Sequence, residues 1–70
     1  MNADQLIMIL ETKIQENEDN RNDVVKKLVE KVYDTKILRM VLEDANKHYD
    51  HIKTKLETEI TVIDEQNKNY

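Results

Sequence analysis

Seventy residues, 37% of them charged, with a net charge of −4 and no Cys, Gly or Pro, allow one small domain whose own core supplies only a few kcal/mol. The missing Cys excludes disulfides and thiolate metal sites, and the missing Gly and Pro leave little from which to build tight β-turns. What remains is an all-α chain that completes its core by oligomerising.

The first element starts at Asn2-Ala3-Asp4-Gln5. Asn2 is placed to cap, Gln5 to reach back from the third position, and Asp4 suits the positive end of a helix dipole. Leu6, Ile7, Met8, Ile9 and Leu10 follow, then Ile14. Ile7, Leu10 and Ile14 form the packing stripe of helix 1, and the flanking apolar residues widen it beyond a narrow seam. This run is far too short to cross a bilayer or to serve as a signal-peptide core.

Residues 15–23 contain no apolar side chain. Asn tolerates the left-handed conformation that Gly usually supplies at helix ends, so Asn17, Asn20 and Asn22 point to a polar turn at about 17–22. The expected fold is therefore a helical hairpin, with a short helix 1 at about 3–17 and a long helix 2 at about 22–66. A tail at 67–70 is expected to fray. One alternative stays open. Asn17 and Arg21 keep the heptad phase of their neighbours, so a straight rod with polar core positions competes with the hairpin.

Helix 2 carries the dominant pattern. Val24, Leu28, Leu38, Leu42, Ala45, Tyr49, Ile52, Leu56 and Ile63 recur at heptad spacing, with gaps at Lys31, Thr35 and Glu59. One helix cannot bury such a stripe alone, so these nine residues are the expected interface of a homodimeric coiled coil or helical bundle. Favourable i, i+4 pairs line the outside: Asp23–Lys27, Glu43–Lys47, Asp44–His48 and Asp64–Lys68. Charge is uneven along the chain. Residues 1–23 hold six acids against two bases, and residues 24–42 hold five bases against two acids. Residues 43–70 hold seven acids against four bases.

Little in the sequence suggests chemistry. No Ser or Cys is available as a nucleophile, and the clustered acids Glu57, Glu59, Asp64 and Glu65, the candidates for general acid–base pairs, read better as a solvated face. His48 and His51 with Asp44 and Asp50 make a weak zinc pattern, better explained as exposed helix positions. A calcium loop starting at Asp19 fails, because Arg21 stands at a ligand position and Val24 replaces the required Gly. No enzyme activity, cofactor or metal is expected. Lys26, Lys27, Lys31, Lys36 and Arg39 form a basic patch, but the acidic overall balance argues against nucleic acid.

In its short Met-initiated chain, its Asn/Lys/Ile/Asp/Glu-rich composition and its Gly-free helices, the protein resembles small accessory proteins of bacteriophages and mobile elements. That resemblance covers the chain loosely and assigns no residue a role. The resulting expectation is a cytoplasmic, non-enzymatic interaction module. It pairs with itself and regulates or inhibits one larger protein, with acidic surface offered to a nucleic-acid-binding partner as one route. A scaffolding coiled coil is the structural alternative, and nucleic-acid binding through residues 26–39 the second.

Overall fold

The computed structural model describes residues 2–68. Two helices fill almost all of them: α1 (Ala3–Lys31) and α2 (Thr35–Lys68). They pack antiparallel as a hairpin whose Cα trace spans 55 × 15 × 10 Å. Among the described residues, no helix is long and apolar enough to cross a membrane.

Helix α1 begins where its first four residues direct. The Asn2 side chain accepts from the Gln5 amide at 2.9 Å, and the Gln5 side chain accepts from the Asn2 amide at 3.2 Å. This reciprocal box satisfies amides that the first helical turn leaves without partners.

The reversal does not lie in the Asn-rich window. Residues 17–22 are helical throughout, and the chain turns at Val32, Tyr33 and Asp34. The two helices are therefore 29 and 34 residues long rather than short and long. Burial explains the difference. A turn at 17–22 leaves most of the 24–63 stripe without a facing helix, whereas a turn near the midpoint pairs the stripe with itself. Four mid-helix Asn residues (17, 20, 22 and 46) cost at most about 0.7 kcal/mol each in propensity, less than a single apolar seam position gains from burial.

The turn needs no left-handed residue, and the described chain has none. Val32 leaves α1 in an extended conformation, φ −100° and ψ 109°, with its amide still donating to the Leu28 carbonyl. Asp34 then caps α2, its carboxylate accepting from the Ile37 amide at 3.0 Å. Helix α2 continues to Lys68. The expected tail at 67–70 is thus helical through its first two residues, and its last two lie outside the described residues.

Candidate interaction surface

Register follows from one cross-helix bond. The Asn17 side-chain amide donates to the Tyr49 carbonyl oxygen at 3.0 Å. Heptad steps from that point set Leu10 opposite Leu56, Val24 opposite Leu42, Ile14 opposite Ile52 and Leu28 opposite Leu38. Ala3 falls opposite Ile63, and both line one shallow groove at the open end of the hairpin with Leu6, Gln66 and Asn67. At about 240 Å³, that groove is smaller than the usual small-molecule site.

The nine residues read as an oligomer interface thus lie on the inner face of the hairpin, all partly buried. The two helices of one chain cover them between them: Val24 and Leu28 lie on α1 with Ile7, Leu10 and Ile14, and the other seven lie on α2. The stripe thus finds its facing helix within the same chain rather than requiring a second molecule to supply one. The seam is not sealed, however. Among the described residues only Leu10 and Asn17 are buried, at 9% and 8% exposure.

Asn17 and Arg21 interrupt the apolar seam. Besides the Asn17–Tyr49 bond, the Arg21 guanidinium reaches the Asn46 side-chain oxygen at 3.5 Å and pairs with Glu18 on its own helix. The hydrogen bond from Arg21 holds the Glu18 carboxyl below the usual glutamate range. The same bond raises the Arg21 guanidinium. These groups are polar residues at seam positions whose bonds fix which turn of α1 meets which turn of α2.

The outer surface is ordinary exposed helix in most places. Asp23–Lys27, Glu43–Lys47 and Asp64–Lys68 form ion pairs at 3.0, 3.1 and 3.2 Å. Each contributes only about 0.3–0.5 kcal/mol. His48 does not pair with Asp44; its ring stands edge-on to Tyr49 at 5.1 Å between centroids. Among the described residues, no group of three His, Asp or Glu side chains is arranged to hold a metal ion.

Two features depart from ordinary surface. The turn gathers the basic stretch at one tip, where Lys26, Lys27, Lys31, Lys36 and Arg39 are all exposed. Tyr33, within the turn itself, is 92% exposed, and Val29 and Met40 on the adjoining helix ends are also uncovered. In addition, Leu6, Ile9, Ile37 and Val62 remain exposed outside the seam. Leu6 and Ile9 belong to the apolar run that opens α1, whereas Ile37 and Val62 stand outside the heptad stripe. The available signal was their heptad position, which puts all four on one flank of the paired helices.

Compared against protein families, curated proteins and solved structures, the chain finds no match in any of the three.

Proposed function

We propose that this protein is a non-catalytic interaction module that pairs with a second copy and binds a larger protein. Uncovered surface carries the reading. A compact globule of this mass exposes about 4,600 Å², whereas this hairpin exposes 5743 Å². The excess of roughly 1,100 Å² exceeds the ~800 Å² that each partner contributes to a standard interface. Large apolar side chains, Tyr33, Met8, Met40, Val29 and Ile37 among them, lie on the exposed surface, and a small helical hairpin gains stability by covering such groups.

In this reading the larger partner meets the turn tip. Tyr33, Met40 and Val29 supply apolar anchors, and the surrounding lysines favour a groove with an acidic rim. Sedimentation equilibrium over the micromolar range tests self-association, and a mass that stays at one chain throughout removes that half of the reading. Binding is tested by co-purification from the native host with wild type, Tyr33→Asp and Met40→Asp side by side. A partner retained equally by all three removes the tip from the reading.

The gathered basic tip also favours a second reading, nucleic-acid binding. Retention of DNA that falls steeply with salt and disappears in Lys31→Glu/Lys36→Glu supports it. No retention at low salt eliminates it.

A further inference from the structure

We infer that two hairpins pair antiparallel through the flank bearing Leu6, Ile9, Ile37 and Val62, forming a four-helix bundle. The inference rests on the self-association proposed above and assigns its face and orientation.

Position comes first. With Asn17 opposite Tyr49, antiparallel heptad geometry leaves two flanks beside the seam. Leu6 and Val62 fall on one flank at the open end, and Ile37 falls on the same flank at the turn end, beside partly buried Val41. Ile9 lies one turn in from Leu6. These four side chains are between 38% and 53% exposed. The flank therefore carries apolar residues at both ends and polar ones between. Turning a second copy end for end sets the open-end cluster of each against the turn-end cluster of the other. This is the self-complementary arrangement that a two-fold interface requires.

Charge selects the same orientation. The turn-end segment 24–42 is net basic, while 1–23 and 43–70 are net acidic. Antiparallel pairing lays basic turn ends along acidic open ends, whereas parallel pairing sets like against like. The choice of flank follows as well. The favoured flank mixes Lys13, Lys27 and Lys55 with Glu16, Asp23 and Asp44. The opposite flank holds Glu18 and Asp50 near its midpoint with Lys53 as the neighbouring base, so two copies joined there antiparallel set those carboxylates against their own counterparts.

Disulfide trapping tests the arrangement. Within one hairpin Leu6 and Ile37 stand near opposite ends, roughly 35 Å apart at 1.5 Å per residue, so a disulfide between them must join two chains. The Leu6→Cys/Ile37→Cys variant is expected to form a covalent dimer on mild oxidation, with helicity unchanged because both sites are exposed. Leu6→Cys alone is expected to stay uncrosslinked. Cross-linking of Leu6→Cys alone overturns the antiparallel orientation. A wild-type dimer whose double variant forms no interchain disulfide overturns the face while leaving self-association standing. A wild-type chain that sediments as one copy overturns both. Ala3→Cys/Ile63→Cys provides a further check, because helix exchange between copies links that pair across chains. The inference requires the link within one chain.

Discussion

The side-chain amide of buried Asn17 donates to the backbone carbonyl of Tyr49, a part-buried bond in the middle of an otherwise mostly apolar seam. The carbonyl lies within α2 and retains its helical partner, so losing Asn17 leaves no stranded acceptor on that helix. Replacing Asn17 with Leu gives up a net ~0.5–1.5 kcal/mol of hydrogen bonding and adds ~1.5–3 kcal/mol of burial. Asn17→Leu is therefore expected to melt higher by a few degrees, while the fixed register loosens. Thermal unfolding with an amide NMR spectrum checks both parts. A lower melting temperature with a single sharp set of peaks contradicts the assigned role.

Leu10 is the one apolar residue classed as buried among the described residues. Truncation to Ala removes seam contacts opposite Leu56, and such changes cost ~2–5 kcal/mol in full cores. The half-open seam places the expected cost near the low end, still comparable to the whole stability of a two-helix chain. Leu10→Ala should lose most of its helicity at room temperature. Met8→Ala, at a position 67% exposed, should change stability by less than about 0.5 kcal/mol. Equal effects from the two variants argue against the seam as drawn.

The turn offers a separate test. If the chain reverses at 32–34, Asn22 is an exposed mid-helix residue, and Asn22→Ala should raise stability by ~0.5 kcal/mol through propensity. Asp34→Ala should lower it by ~1 kcal/mol through loss of the α2 cap. A turn at 17–22 predicts the opposite pattern. Denaturant midpoints for the two variants decide it.

That contrast shows where sequence reading reached and where it stopped. Helicity, the start at Asn2 and three of the outer ion pairs follow from local rules, because propensity, capping and i, i+4 spacing act over a few residues. The heptad positions of Val24 through Ile63 were legible for the same reason. The place of reversal was not, since Asn20 and Asn22 satisfy the local criteria for a turn better than Val32 and Tyr33 do. Only the whole-chain requirement that the stripe be covered moves the turn to the midpoint. The gap at Lys31 and Thr35, with Asp34 between them placed to cap, was the available clue. The flank of Leu6, Ile9, Ile37 and Val62 stayed hidden because its members join across 56 residues, and they become one surface only after the antiparallel register is known.

Acid should expose the Glu18–Arg21 pair. Its hydrogen bond with Arg21 depresses the Glu18 carboxyl in the folded chain. A depressed carboxyl contributes stability that is fully present above its unfolded value, near pH ~4.3. That contribution is lost as pH falls through the lower folded value. Glu18→Gln removes the charge and should melt below wild type at neutral pH. The gap between the two curves should narrow as pH falls through the depressed folded value, where wild-type Glu18 itself becomes protonated. Both residues are solvent-accessible, so added salt should shrink the neutral-pH gap as well. Melting curves for both proteins across pH 3–7 provide the measurement. A gap that stays constant through the acid range shows that Glu18 acts through packing rather than through its charge on Arg21.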